Sequence, residues 1–162
     1  MRVFKNFANA DYFLNEAFSF NLKSSYLYGQ NLDEDLPLID MPSFLVSSSV
    51  FYTKKEWNSF NASLNYVFVA EQNRYPDYNF ETYVASTDSY ELVDISTPPP
   101  AYNVFNFQAG MTFNAFNKST LNVLAKVDNI FNTSYREYLN RLRYFADDTG
   151  RNIIIQLQAF CL

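Results

Sequence analysis

Strict alternation of apolar and polar residues is the feature that most constrains this chain, because it repeats in segment after segment with a period of two. Between residues 58 and 70, for example, Phe60 and Leu64 lie in one series, and Ser63 and Asn65 lie in the other. The same pattern runs through residues 17–28, 101–114, 121–127 and 153–159, and more weakly through residues 2–8 and 43–54. A period of two is that of a β-strand whose two faces meet different surroundings, whereas a helix needs a period near 3.6. The sequence therefore predicts an all-β protein with about seven antiparallel strands.

The connections between these segments alternate in length. Short links are expected near residues 9–11, 54–56 and 114–118, and long ones at residues 29–42, 73–99 and 132–149. Outer-membrane barrels have short periplasmic turns and long extracellular loops, and no run approaches the roughly 18 apolar residues of a spanning helix. The pattern predicts a segment of an antiparallel up-and-down transmembrane β-barrel, incomplete at about seven strands, with its three long loops at one end.

Two compositional features bear on whether such strands meet lipid or water. The polar series consist of Ser, Asn and Gln with few charges, whereas soluble sheets usually carry Lys and Glu outside. Aromatic residues make up 19% of the chain and cluster near strand ends, as an interfacial girdle requires. Any half-buried strand alternates, however. The residues favour a membrane protein and leave open a small passive outer-membrane pore or structural barrel, and a soluble β-barrel that binds an apolar ligand.

Charge and composition narrow the possible functions. The formal net charge is -5 without a basic stripe, so we expect no nucleic-acid partner. Histidine, the commonest general base and transition-metal ligand, is absent. A single cysteine, Cys161, allows no intrachain disulfide. Hydrolysis by a Ser-His-Asp triad, histidine zinc sites and histidine haem ligation therefore have no support, and we expect no metal site and no cofactor.

One long loop contains candidates for a binding site. The segment from residue 72 to residue 90 carries side chains that can stack on a solute or hydrogen-bond to it at the barrel mouth. The candidate ligand-binding residues are Arg74, Tyr75, Asp77, Tyr78 and Glu81. Local packing of the loop is the competing explanation for the same residues.

Four pieces of the sequence carry a resemblance to a known family. They are Asn6 with Ala10 and Glu16; Leu36 to Leu38 with Met41 and Pro42; Thr97 to Asn106; and Leu121 to Ile153, which contains Asp128-Asn129-Ile130-Phe131-Asn132 and Gly150-Arg151-Asn152. In this order and spacing they resemble the closing part of the barrel of a TonB-dependent outer-membrane receptor. The sequence departs from the family pattern at Leu14, where a glycine is usual, and at Cys161, which holds the position of the usual terminal aromatic residue.

The resemblance implies a location, a function and partners. Residues 1–162 would be the C-terminal β-barrel segment of a receptor in the bacterial outer membrane, with plug domain and signal peptide absent. The receptor would take up a scarce solute by TonB-driven transport, a ferric siderophore foremost, or haem, cobalamin or a glycan. Such uptake makes and breaks no bond, so the resemblance implies no enzymatic activity and no catalytic residue. Its partners would be outer-membrane lipid, the plug and remaining strands of the same receptor, the TonB complex acting through the missing plug, and the barrel-assembly machinery.

Overall fold

The computed structural model describes residues 1–114 and 119–160, and within them the regular structure is entirely β. The strands are β1 (Arg2–Phe13), β2 (Phe18–Asn31), β3 (Leu36–Pro37), β4 (Leu45–Lys54), β5 (Phe60–Val69), β6 (Phe80–Val84), β7 (Ser89–Val93), β8 (Tyr102–Asn114), β9 (Thr120–Asp128) and β10 (Asn152–Phe160). In this part of the chain, no helix is long and apolar enough to span a membrane.

Seven strands form one antiparallel sheet in the order β1-β2-β4-β5-β8-β9-β10. Each strand lies beside the next one along the chain, apart from the short β3, which pairs with the end of β2, and the separate β6–β7 hairpin. Among the described strands, β1 and β10 are the two edges, and the sheet does not close into a barrel. The prediction of an all-β, up-and-down and incomplete barrel segment is confirmed.

The pairing register collects the apolar side chains on one face of the sheet. One row across six strands consists of Phe20, Val50, Leu64, Phe107, Val127 and Ile153. These side chains do not pack against a second layer: Leu64 is 43% exposed, Phe107 39% and Ile153 67%. A soluble antiparallel sheet would bury such a face.

The opposite face is polar and better covered. The neighbouring row consists of Asn21, Ser49, Asn65 and Asn106, all half-buried. These polar side chains are therefore less exposed than Leu64 and Phe107 on the opposite face. The few buried apolar side chains of the described residues, Tyr102, Val104 and Tyr138, lie at the end of the sheet that carries the long loops.

The first strand is longer than the sequence predicted. The link expected at residues 9–11 lies inside β1, which continues to Phe13 before a turn at residues 14–17. Asn9 and Asp11 do not break the strand because both accept hydrogen bonds from Asn21 Nδ2 on the neighbouring strand, at 2.8 and 2.7 Å.

Two further expectations concern the connections. The loop predicted at residues 73–99 contains the β6–β7 hairpin. Its five-residue strands were not predicted from the alternation of apolar and polar residues. The three long connections do share one end of the sheet, where Gln72 Nε2 donates to Met41 O at 2.7 Å and ties two of them together. Most of the link expected at residues 114–118, and Cys161, lie outside the described residues.

Candidate functional site

A ladder of amide and hydroxyl side chains crosses the polar face. Asn65 Nδ2 donates to Ser47 Oγ at 3.0 Å and to Ser49 Oγ at 2.9 Å. Asn106 Nδ2 donates to Asn65 Oδ1 at 3.3 Å, and the backbone amide of Asn129 donates to Asn106 Oδ1 at 2.9 Å. Short amide side chains can donate and accept at once, so they connect three strands and the residue after β9 without a net charge. The ladder holds this polar wall in one arrangement.

An ion pair extends the polar face toward the edge strand. Lys126 Nζ lies 2.9 Å from Asp128 Oδ2, and the two side chains are 39% and 31% exposed. Gln108 lies directly across from Lys126 on β8. A cleft of about 310 Å³ opens here, lined by Asn65, Gln108, Lys126 and Asp128 among others. The middle of the polar face is therefore accessible to a solute.

A second cleft, which we call the loop-end cleft, has a volume of about 430 Å³ and lies where the polar face meets the β9–β10 loop. Its chemistry is set by Tyr102, Asn106, Asp128, Tyr135 and Glu137. The rings of Tyr102 and Tyr135 stack with centroids 4.5 Å apart, and Tyr102 Oη approaches Glu137 Oε1 at 3.5 Å.

The charge state of this cleft follows from its surroundings. Burial raises the pKa of Tyr135, and the carboxylates of Asp148 and Glu137 raise it further. Tyr135 is therefore a neutral phenol at physiological pH, and it remains able to donate a hydrogen bond. Neutral phenols beside the carboxylates of Asp128 and Glu137 suit hydroxyl-bearing or cationic groups. This arrangement can bind and orient a solute by hydrogen bonds and charge.

A buried asparagine holds the loop that covers the cleft. Asn129 is 2% exposed and has a left-handed backbone with φ of 50°. Its Nδ2 donates to Thr133 O at 2.8 Å, and its Oδ1 accepts from Thr133 N at 2.8 Å. Asn tolerates this conformation better than other non-glycine residues. The Asn129 side chain thus joins the end of β9 to the loop at Thr133.

The five sequence-predicted binding residues do not converge on one site. The Arg74 guanidinium lies 4.0 Å from the centroid of the Tyr28 ring and donates to Gln30 Oε1, so it packs against the end of β2. Tyr75 lies near enough to the loop residue Tyr138 to influence its pKa.

The other three lie nearer the β6–β7 hairpin. Asp77 accepts from Asn79 N at 3.0 Å and from Ser96 Oγ at 3.2 Å, which stabilises the loop itself. Tyr78 is 48% exposed, and Glu81 is exposed on β6. A binding role for these residues stays a prediction.

The residues of the loop-end cleft were not recognised from the sequence. The cleft combines Tyr102 and Asn106 of β8 with Asp128 of β9. Only the pairing of β8 with β9 brings these three side chains together. The usable signal was the spacing of four between Tyr102 and Asn106, which places both on one face of a strand. Within residues 1–114 and 119–160, no three His, Cys, Asp or Glu side chains lie close enough to hold a metal ion.

These features define a class of structure: an up-and-down antiparallel sheet with an exposed apolar face, a connected polar face and long loops at one end. No family model matches the chain, and no curated protein matches it. Among solved structures, the chain is similar to "Copper transporter OprC", with a TM-score of 0.74 and 18% identity over 98% of this chain. The chain spans 23% of the length of that transporter.

The comparison corrects the family expected from the sequence. Assignment to the TonB-dependent receptors was wrong, because no family model matches and a likeness at 18% identity shows a shared fold alone. The described strands form an open seven-stranded sheet and not a receptor barrel.

Proposed function

We propose that this chain is a wall segment of a bacterial outer-membrane β-barrel that takes part in solute transport. One observation carries the proposal: Leu64 and Phe107 are exposed, whereas Asn65 and Asn106, next to them in sequence, are half-buried and hydrogen-bonded. In water this arrangement exposes a large apolar band, which monomeric soluble proteins rarely do. In a lipid bilayer it places apolar side chains toward lipid and polar ones toward a conduit.

Aromatic pairs at both ends of the apolar face support a membrane location. Near the short turns, the ring centroids of Phe18 and Tyr52 are 4.7 Å apart, and those of Tyr52 and Phe60 6.0 Å apart. Near the long loops, those of Tyr66 and Phe105 are 4.8 Å apart. At about 3.4 Å per residue, Phe60 and Tyr66 are roughly 20 Å apart along β5. This compares with an apolar band of about 25 Å between the aromatic girdles of outer-membrane barrels.

The fold comparison supports a general role in transport and names no solute for this chain. The solved neighbour is named a copper transporter. For this chain, which lacks histidine, we extend the general role and not the metal. The more specific proposal is a solute rich in hydrogen-bonding groups, such as a ferric siderophore, supported by the amide ladder and by Asp128 and Glu137 in the loop-end cleft.

The proposal assigns the chain no chemical reaction. Its partners would be outer-membrane lipid on the apolar face, further strands at β1 and β10, and the machinery that assembles such barrels. Strand edges cannot face hydrocarbon unpaired, which is why further strands are required in a membrane.

Spin labelling of neighbouring positions tests the proposal. Nitroxide labels would be placed at Leu64→Cys or Asn65→Cys in a Cys161→Ser background, and the full protein would be examined in outer-membrane vesicles. We expect oxygen, which concentrates in lipid, to relax the label at position 64, and a water-soluble nickel chelate to relax the label at position 65. Phe107→Cys and Asn106→Cys provide a matched second pair on β8.

Other patterns would contradict the proposal. A chain that remains in the soluble fraction would favour a soluble β-barrel. Equal oxygen and nickel accessibility at positions 64 and 65 would show that the two faces meet the same surroundings, and the transport role would lose its support.

A further inference from the structure

Another cleft lies among the loops, apart from the polar face. It has a volume of about 320 Å³ and is formed where the segment before β8 meets the β9–β10 loop. We call it the proline cleft; the residues that matter for its chemistry are Pro98, Pro99, Tyr135, Arg143 and Tyr144. Its volume is within the range of small-molecule sites, at about 300 to 1,000 Å³.

Arg143 is the notable side chain of this cleft because it is a buried cation. It is 9% exposed, and its guanidinium lies 4.5 Å from the ring centroid of Tyr138 and 4.7 Å from that of Tyr144. It donates to the backbone oxygen of Tyr138 and, at 2.6 Å, to Tyr144 Oη. Its Nε is covered and has no hydrogen-bond partner. Both groups that accept hydrogen bonds from the Arg143 guanidinium are therefore uncharged.

The other charges of the cleft are already engaged. Arg136 Nε lies 2.6 Å from Asp147 Oδ1, and Asp94 Oδ1 accepts from the backbone amides of Ser96 and Thr97 at 3.3 and 3.0 Å. Among the described residues, no carboxylate lies within 4.0 Å of the Arg143 guanidinium.

The nearby phenol cannot act as a counter-ion. Burial raises the pKa of Tyr138, although Arg143 beside it works in the opposite direction. Tyr138 is thus neutral at physiological pH. A buried cation that lacks a negative partner costs free energy, which an incoming anion would offset.

We propose that the proline cleft binds a small carboxylate with a flat apolar body, whose carboxylate contacts the guanidinium of Arg143. Each Nη of a guanidinium carries two hydrogens, so Nη1 and Nη2 each keep one N–H beyond the bonds to Tyr138 and Tyr144, and a carboxylate can accept from these. The proline and tyrosine walls offer flat surfaces for the rest of the molecule. Asp94 and Asp147 also line the cleft and would repel a doubly charged phosphate more than a singly charged carboxylate. The inference does not depend on transport.

Fluorine NMR with 4-fluorobenzoate tests the inference on the full protein in detergent micelles. The matched probe is 4-fluorobenzamide, which has the same shape without the charge. We expect the benzoate signal to broaden and saturate with protein concentration, and the benzamide signal to show only micelle partitioning. Arg143→Met should weaken benzoate binding by about tenfold or more, since hydrogen bonds to charged groups contribute most. Arg141→Met, an exposed arginine two residues away, should leave it unchanged.

The comparison of the two probes on the unaltered protein decides the matter even if Arg143→Met does not fold. Equal binding of benzoate and benzamide, or saturable binding of neither, would overturn the inference. Equal losses for Arg143→Met and Arg141→Met would also overturn it, because they would reduce the effect to the net charge of the loops.

Discussion

Replacing Asn129 by alanine is the sharpest test of how the loop over the polar face is held. The side chain makes two hydrogen bonds of 2.8 Å to Thr133, and the backbone is left-handed. We expect Asn129→Ala to open the β9–β10 loop locally, because alanine replaces neither bond and resists a positive φ.

The size of the effect follows from these two contributions. Each hydrogen bond contributes about 1 kcal/mol net, and the left-handed conformation costs alanine about 1 kcal/mol. The local free energy of opening should therefore fall by about 3 kcal/mol, which is roughly a 150-fold rise in the opening equilibrium. Asn129→Gly removes the bonds without the strain, so it should lower the same free energy by about 2 kcal/mol.

Hydrogen exchange measured by mass spectrometry provides the assay. Peptides covering residues 130–148 should exchange faster in both variants, and more so in Asn129→Ala. Asn58 is the matched control, since it has a φ of 51° but is exposed in the β4–β5 turn. Asn58→Ala should show the strain alone, about 1 kcal/mol, in its own peptide. If Asn129→Gly exchanged like the unaltered protein, the hydrogen bonds to Thr133 would be irrelevant and the reasoning refuted.

Three further predictions concern the two faces and the loop-end cleft. Leu64→Arg, in the middle of the apolar face, should destabilise the protein in lipid by about 2 to 4 kcal/mol. Ser63→Arg, on the polar face, should change the free energy of unfolding little. Chemical denaturation in lipid vesicles measures the free energy of unfolding of both variants. The pKa of Tyr135 lies above its ordinary value of 10.0. The loop should therefore keep its full stability below pH 10 and lose part of it as the pH rises toward the folded-state pKa. Hydrogen exchange and phenolate absorbance measure this loss, and Tyr135→Phe, which cannot ionise there, is the control. A double-mutant cycle of Lys126→Gln and Asp128→Asn should give a coupling of about 1 kcal/mol or less, since both side chains are partly exposed; a value several times larger would indicate a drier polar face.

Alternation was enough to predict the seven strands of the main sheet and their faces, but not the β6–β7 hairpin. A period of two fixes which side chains share a face, so the exposed row through Leu64 and the polar row through Asn65 both follow from the order of residues. The extent of β1 did not follow, because Asn9 and Asp11 read locally as turn residues. Their hydrogen bonds to Asn21 come from the neighbouring strand, and a local pattern contains no information about that pairing.

The candidate site was harder to predict for the same reason. Residues 72–90 contain four tyrosines and one arginine, which suggested binding residues around Arg74. In the structure, the Arg74 guanidinium packs against the ring of Tyr28, and its binding role stays a prediction. The clefts instead combine Asp128, Tyr135 and Glu137 with residues of other strands. Such a set depends on the register of β8 against β9 and on the path of a long loop, neither of which composition determines.

The direction of the strands limits how this sheet can be completed. Six antiparallel pairings connect β1 to β10, so these two edge strands run in the same direction. Joining them directly, or joining copies of the chain edge to edge in one membrane orientation, would create a parallel pair in an otherwise antiparallel sheet. An antiparallel partner at both edges requires an odd number of further strands, and a barrel that contains this sheet then has an even total, as bacterial outer-membrane barrels do. In the membrane location that we propose, the exposed apolar face and the two edges would need different partners: lipid for the first, and additional strands that satisfy the backbone groups for the second.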